Sequence, residues 1–229
     1  MAKKNLPIKL FQKRRIDERQ TEGSGSSTPP KWVLTGDELE ERAEILLEPF
    51  SGIEGEFTAR PSYRDFIPVT LKVDIDDNAI AKSHRKDVQK LFNGRLSKNN
   101  IIGFVDSNSA IVKVDSLEES NQIQRNIRNF NRNAKSVSAI ESIEIFRPYL
   151  VAPKEDEALK ISLIDFLNYE LNNSVKMAFK KFCQELNIEV KEAFYSSGLI
   201  IYRAQKIDEA ILDKLSEFEA LESITFMPK

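Results

Sequence analysis

The sequence AIESIEIFRP, residues Ala139–Pro148, returns near the end of the chain as ALESITFMPK, residues Ala220–Lys229. Both segments run Ala, apolar, Glu, Ser, Ile, and both reach a proline after further apolar residues. This pattern is typical of a β-strand that stops at proline, because proline cannot donate a hydrogen bond to a neighbouring strand. Two such endings, about eighty residues apart, predict two copies of one folding unit.

The segment before the first ending predicts the order β-α-β-β-α-β. PVTLKVDI (residues 68–75) alternates apolar and polar residues, as a half-buried strand does, and a helical stripe follows over residues 80–92. NIIGFVDSNSAIVKV (residues 100–114) predicts a hairpin around an Asp-Ser-Asn-Ser turn. Ser116–Glu119 is a capping box that opens a second helix, with Leu117 and later apolar residues facing inward, and Ser142–Phe146 closes the unit.

The same order of elements follows in the second half. LKISLIDF (Leu159–Phe166) is a predicted strand, and a helical stripe runs from Val175 to Leu186. Residues 188–204 predict a hairpin, a helix follows, and SITF (Ser223–Phe226) is the closing strand, at or near a sheet edge. We therefore predict an α+β protein with two tandem ferredoxin-like modules, residues 66–149 and 159–229, joined by an acidic linker at 150–158.

Residues 1–65 precede the predicted modules. Residues 1–36 are predicted to be an extended basic arm followed by a Gly/Ser/Pro linker. An amphipathic helix begins with a capping-box signal at Thr35–Glu38 and ends near Pro49 and Gly52. The rest of residues 37–65 is predicted to be an irregular connection.

Composition excludes several classes of protein. One cysteine in 229 residues excludes a disulfide framework, and a net charge of −2 is unusual for a dedicated nucleic-acid binder. No apolar segment is long enough to predict a membrane span, and no signal peptide is evident. The sequence therefore favours a cytoplasmic protein with no metal, no cofactor, no nucleic acid and no membrane among its expected ligands.

The candidate reactive residues all have structural interpretations. The single histidine, His84, lies on a predicted helical stripe, and Cys183 lies on another with two phenylalanines. Asp106, in FVDSNS, is predicted to be a hairpin-turn residue, and DIDDN (residues 74–78) a turn between a strand and a helix. A hydrolytic triad needs a nucleophile, a base and an orienting acid, so we expect no enzymatic activity from this chain.

The two predicted sheets differ in polarity. The open face of the first would be wetted by polar side chains, namely Thr70, Lys72, Asp74, Lys113 and Glu144. In the second module ISLI and LIIY place apolar residues on successive positions, and therefore on both faces of their strands. Because helices cover only one face in this fold, we expect something else to cover the other.

The whole arrangement resembles one protein family. LPIKLF (Leu6–Phe11), the Gly/Ser/Pro linker, the amphipathic helix, the paired units and LESITFMP (Leu221–Pro228) together resemble the N-terminal region of a bacterial subtilisin-like serine peptidase. The subgroup is the large cytoplasmic one often encoded beside an AAA-type ATPase and associated with defence against phage. The resemblance implies a propeptide-like, non-catalytic region that ends where a serine endopeptidase domain would begin, and none of its motifs carries a catalytic residue.

The resemblance also implies how such a region would act. Subtilase propeptides lay an open sheet face on the catalytic domain, which they chaperone or inhibit, and run their C-terminal tail into its cleft. The expected partners are thus the chain's own peptidase domain and an AAA-type ATPase. An interaction module that receives a partner, or an ACT-like small-molecule sensor, is the alternative. The residues expected to form the docking face and tail are Ile164, Phe166, Tyr202, Thr225, Met227 and Pro228, and a shift of one residue in strand phase would exchange the faces.

Overall fold

The protein is an α+β structure with two β-sheets, preceded by helix α1. The computed structural model describes residues 30–79, 85–93, 100–154, 157–194, 199–205 and 207–227. The chain from Trp32 onward forms one compact unit. His84 and Pro228, two residues of the sequence predictions, lie outside the described residues.

Among the described residues, two helices precede the first sheet. Helix α1 (Asp37–Leu47) buries Leu39, Ala43 and Leu46, as its spacing predicts. The predicted capping box at Thr35–Glu38 is wrong, because Gly36 is the N-cap residue at φ 59° and no side chain caps the helix. Three acidic residues in the first turn instead lie at the positive end of the helix dipole.

The connection predicted to be irregular contains helix α2 (Phe50–Thr58). Pro49, which is predicted to mark the end of the first helix, follows the end of α1 and is the N-cap residue of α2. Its missing N–H costs nothing at that position. Phe50 and Ile53 are buried in the first core, which supplies the stability that a helix with two glycines lacks by itself.

The first sheet has four antiparallel strands in the order β2-β3-β1-β4. The helices α3, α4 and α5 fall between these strands in the chain, and α5 was not predicted. In chain order the elements are β1 (Val69–Ile75), α3 (Arg85–Phe92), β2 (Ile101–Phe104), β3 (Ser109–Val114), α4 (Leu117–Arg128), α5 (Ala134–Ser138) and β4 (Ile140–Ile145).

Most predictions from local sequence patterns in the first half of the chain are confirmed. The four apolar residues of β1 that the alternation places together are all buried. The Ser116 hydroxyl caps α4 by accepting from the Glu119 N–H, as predicted, and the Glu119 carboxylate accepts from the Asp115 N–H. Leu117, however, is exposed, so its predicted inward position is wrong. Thr70 is buried and does not belong to a wetted surface.

The second sheet has five strands in the order β5-β9-β6-β8-β7, with β5 parallel to β9 and the other pairs antiparallel. Helices α6 and α7 belong to the same half. In chain order the elements are β5 (Tyr149–Leu150), β6 (Leu159–Leu163), α6 (Tyr169–Glu185), β7 (Val190–Ala193), β8 (Ile200–Ala204), α7 (Glu209–Ser216) and β9 (Leu221–Phe226).

Strand β5 was not predicted, and it changes the environment of the final strand. Tyr149 and Leu150, placed by the sequence at the join between first module and linker, pair with Ser223 and Ile224 of β9. The SITF segment is therefore covered on one side by β5 and on the other by β6. Strand β6 ends at Leu163, three residues before the predicted end at Phe166.

Candidate functional site

Two of the predicted docking residues are part of the second core and are not available to a partner. The Tyr202 side chain is completely buried, and its ring centroid lies 5.0 Å from that of Phe179 on α6. Tyr202 therefore faces the helices, and its predicted place on the open face is wrong by one residue in strand phase. Phe166 is also buried in the second core, so its predicted exposure is wrong too.

Of the other predicted docking residues that the structure describes, one is buried and two are half-buried. Ile164 is buried, with its N–H donating to the Ala220 carbonyl oxygen. Thr225 and Met227 are half-buried, and the Met227 N–H donates to the Ala158 carbonyl oxygen. Met227, the last described residue of the C-terminal tail, is therefore still hydrogen-bonded to the segment that precedes β6.

The buried hydroxyl of Tyr202 gives a test of its position. Its oxygen has no hydrogen-bond partner among the described residues, and a buried unpaired hydroxyl is costly. Tyr202→Phe should therefore raise the free energy of unfolding by about 1 kcal/mol in urea titration.

The matched control is Tyr63→Phe. The Tyr63 hydroxyl donates to the Glu185 carboxylate at 2.5 Å, and burial together with this hydrogen bond raises the Tyr63 pKa to about 12. Its removal should lower the free energy of unfolding by about 0.5–1 kcal/mol. A stability loss in Tyr202→Phe would contradict a buried hydroxyl without a hydrogen-bond partner.

The two central strands of the second sheet, β6 and β8, are largely buried and have buried residues on both faces, as the sequence predicts. Ile161 pairs with Tyr202 on the helix side, and Ser162 pairs with Ile201 on the other side, where both are also buried. Two side chains of the first half, Ile102 and Phe146, pack against the second core. The first half of the chain therefore contacts the second core.

A cleft of about 560 Å³ lies between the two sheets. Lys72, Ile111 and Glu144 of the first sheet line one side, and Leu163 and Ser223 of the second line the other. Four apolar side chains around it, each more than half exposed, form what we call the cleft rim, and they come from both halves of the chain. The cleft rim consists of Phe104, Val105, Tyr149 and Leu199.

The segment between α2 and β1, Arg60–Ile67, ties the two halves together. Ile67 is completely buried in the second core. The Arg64 guanidinium lies 4.7 Å from the Phe182 ring centroid and forms an ion pair with Glu219 at 3.3 Å. This role was not predicted from the sequence, although two arginines beside aromatic residues in ARPSYRDF are a signal for cation–π contacts.

The polar residues near the first hairpin form a structural network. The Ser109 hydroxyl donates to the Asp74 carboxylate at 2.6 Å, and the Ser142 hydroxyl donates to it at 2.8 Å. Burial alone would raise the Asp74 pKa, but these bonds and Lys72 outweigh it and lower the pKa. Asp106 accepts the backbone N–H groups of Asn108 and Ser109, as a hairpin-turn aspartate does.

No reactive centre is evident in the part of the chain that the structure describes. Burial raises the pKa of the Cys183 thiol to about 12, which leaves it protonated and unreactive near neutrality. Across the described ranges, no group of three or more His, Cys, Asp or Glu side chains is placed to hold a metal ion. Nor does any helix of those ranges have the length and apolar character needed to cross a membrane.

Comparison with known proteins gives no relative: no protein-family model, no curated protein and no solved structure matches the chain.

Proposed function

We propose that the chain is a non-catalytic regulatory region of a subtilisin-like serine peptidase, built of two ferredoxin-like modules and able to bind the peptidase domain. The fold supports this proposal. Each half of the chain contains the order β-α-β-β-α-β, and its four matching strands lie in the order fourth, first, third, second. That is the split βαβ arrangement that the sequence resemblance implies for subtilase propeptides.

The observation that carries the docking proposal is the cleft rim. Its four exposed apolar side chains come from β2 and the following turn, from β5, and from the residue before β8, yet they surround one cleft. Exposed apolar side chains concentrated at one place mark a binding surface more strongly than the same residues scattered. We therefore place the docking surface at the cleft rim, because Tyr202 and Phe166 are buried.

Charge substitutions at the rim test this surface. With the 229-residue chain added in trans to the peptidase domain of the same protein, Phe104→Glu and Leu199→Glu should each weaken binding at least tenfold. A buried carboxylate without a partner opposes the apolar contact, and neither side chain packs in a core. Isothermal titration calorimetry measures the affinity, and circular dichroism checks folding.

The matched controls are Ile45→Glu and Met177→Glu, which place the same charge at exposed apolar positions away from the rim. These two variants should bind within about twofold of the parent chain. Equal loss in all four variants, or no binding by the parent chain, would contradict docking of the peptidase domain at the rim.

The cleft also favours a second candidate function, binding of a small molecule. Its volume of about 560 Å³ falls within the range of about 300–1,000 Å³ typical of ligand pockets. A regulatory module of this kind would resemble an ACT-like sensor, with ligand bound between paired units. Gly103 lines the cleft, and a Cβ added there meets open space, so a valine side chain would occupy part of the cleft. Saturable binding of a metabolite that is lost in Gly103→Val would support small-molecule binding.

A further inference from the structure

Strand β2 lies at an edge of the first sheet and pairs only with β3 among the strands that the structure describes. The Val105 N–H donates to the Ser109 carbonyl oxygen at 2.9 Å. Because backbone bonds alternate along an antiparallel pair, the N–H and C=O of Phe104, one residue earlier, point away from β3. Ile102 lies at a register shift and has no paired residue on β3. The edge therefore presents backbone groups that an incoming strand can bind.

The other edges of the two described sheets are protected against such pairing. Strand β7 carries Lys191 and Glu192, and β4 carries Glu141 and Glu144. Strand β5 is only two residues long and follows Pro148. Charged residues, proline and short length are devices by which natural sheets avoid pairing at their edges. Strand β2, with the sequence IIGF, contains neither a charged residue nor a proline.

A groove of about 430 Å³, which we call the α3 groove, lies beside β2. Val88 and Gln89 of α3 form part of its wall, and Ile75, at the end of β1, forms another part. Ile75 and Val88 belong to the first core, so the groove lies on the face of the first sheet that the helices cover. Ala79 and Ile101 add to an apolar lining. The α3 groove can therefore receive apolar side chains from a segment that runs along β2.

The cleft between the two sheets lies on the opposite face of the same strand. Lys72 and Ile111, which line the cleft, are cross-strand partners on the open face of the first sheet. Ile102, Gly103 and Phe104 line both the cleft and the α3 groove, so β2 is their common wall. A strand added to β2 would direct alternate side chains to opposite faces and would enter both cavities at once. Two cavities beside one free edge favour an extended chain over a compact ligand.

Charge narrows the chemistry of that chain. Asp106 is the only charged residue among the described residues that line the α3 groove. Its carboxylate accepts the backbone N–H groups of Asn108 and Ser109, and these bonds lower its pKa, so it is ionised near neutrality. A basic side chain next to the apolar ones would complement this charge at the end of β2.

We propose that β2 receives an extended segment of another protein as an added strand, with apolar side chains in the α3 groove and a basic side chain near Asp106. A single strand suits this place better than the β2 strand of a second copy. The second copy would bring its whole sheet and its helices to a space bordered by α3 on one face and by Asp165 and Leu199 on the other. The inference goes beyond the proposed function, because it concerns this chain alone and does not rest on a peptidase partner.

N-methylated peptides test strand addition. The probes are three fluorescein-labelled heptapeptides in which valine, leucine or phenylalanine alternates with threonine between terminal lysines. Fluorescence anisotropy measures their binding to the 229-residue chain. The tightest probe is then made in two further forms, one N-methylated at its apolar residues and the other at its threonines. The N–H groups of alternate residues point to opposite edges of a strand, so only one of these two sets can face β2.

We expect one methylated peptide to bind about tenfold more weakly than its parent and the other to change by less than about threefold, because only one set loses hydrogen bonds to β2. Apolar contact without strand pairing would affect both forms alike. Equal affinities of the two methylated peptides, or no saturable binding of any of the three probes, would overturn the proposal.

Gly103→Lys places on β2 a charge of the kind that β4 and β7 carry. A Cβ at Gly103 meets open space, so the variant should fold, and circular dichroism checks this. It should weaken binding of the tightest probe about tenfold, because the ammonium group must lose water when a strand covers it. The matched control is Gly55→Lys, at an exposed glycine of α2 whose added Cβ also meets open space. The control should bind the probe within about twofold of the parent chain.

Light scattering after size-exclusion chromatography identifies the alternative occupant. A dimer that becomes a monomer in Gly103→Lys but not in Gly55→Lys would show that β2 pairs with a second copy, and the proposal would then be wrong. Equal affinity of Gly103→Lys and the parent chain for the probe would also overturn it, because the peptide would then bind elsewhere.

Discussion

Arg64→Ala should lower the free energy of unfolding by about 3 kcal/mol. The Arg64 guanidinium covers the Phe182 and Phe218 rings at 4.7 and 6.0 Å, pairs with Glu219, and donates to the Glu217 carbonyl oxygen at 3.4 Å. Its removal exposes aromatic surface and leaves a buried carboxylate with one partner fewer, and each loss is costly. Urea unfolding followed by circular dichroism measures the change.

The same variant should show a characteristic dependence on pH. Burial raises the pKa of the Glu219 carboxyl, and Arg64 opposes that rise, so removal of Arg64 raises the folded-state pKa further. A group with a raised pKa contributes stability that is fully present below its unfolded pKa, ordinarily 4.5, and is lost as pH rises through the folded pKa. The stability deficit of Arg64→Ala should therefore be larger at pH 7 than at pH 5.

Arg132→Ala is the control, because Arg132 is exposed. It should change the free energy of unfolding by less than about 0.5 kcal/mol at either pH. An Arg64→Ala effect of that size would show that Arg64 adds little to the stability of the contact between the two halves. A deficit larger at pH 5 than at pH 7 would contradict the raised pKa of Glu219.

Strand phase could be predicted from the sequence only where one face of a strand is polar. In β1 the alternation from Val69 to Ile75 assigns each side chain to a face, and the buried residues agree with it. In β8 the run Ile200, Ile201, Tyr202 is apolar at every position, and all three residues are buried. Without alternation the sequence carries no phase information, and Tyr202 was assigned to the wrong face.

The candidate sites were harder to predict than the sheets, because they depend on contacts between residues far apart in sequence. Arg64 and Glu219 are separated by 155 positions, and Tyr63 and Glu185 by 122. Local composition made this part of the chain look irregular, since Pro61 and two nearby glycines suggest a loop. The cleft rim likewise combines residues of both halves, which no local pattern links.

Phe179→Ala should be among the most destabilising single substitutions in the chain, with a loss of about 3–5 kcal/mol. Phe179 is completely buried on α6, and its ring centroid lies 5.0 Å from those of both Tyr202 and Phe218. Removal of the ring leaves a cavity at the point where α6 meets the second sheet. Phe194→Ala, at a position 85% exposed, should change stability by less than about 0.5 kcal/mol.

The single tryptophan makes this variant a test of coupling between the two halves. Trp32 packs against the first core, whereas Phe179 lies in the second, so Trp32 fluorescence follows the half that the substitution leaves intact. Because Arg60–Ile67 inserts side chains into the second core, we expect the halves to unfold together. The Trp32 transition of Phe179→Ala should then shift to lower urea in step with circular dichroism. A Trp32 midpoint equal to that of the parent chain would instead show that the two halves unfold independently. The Arg64–Glu219 ion pair would then contribute little to the stability of the contact between them.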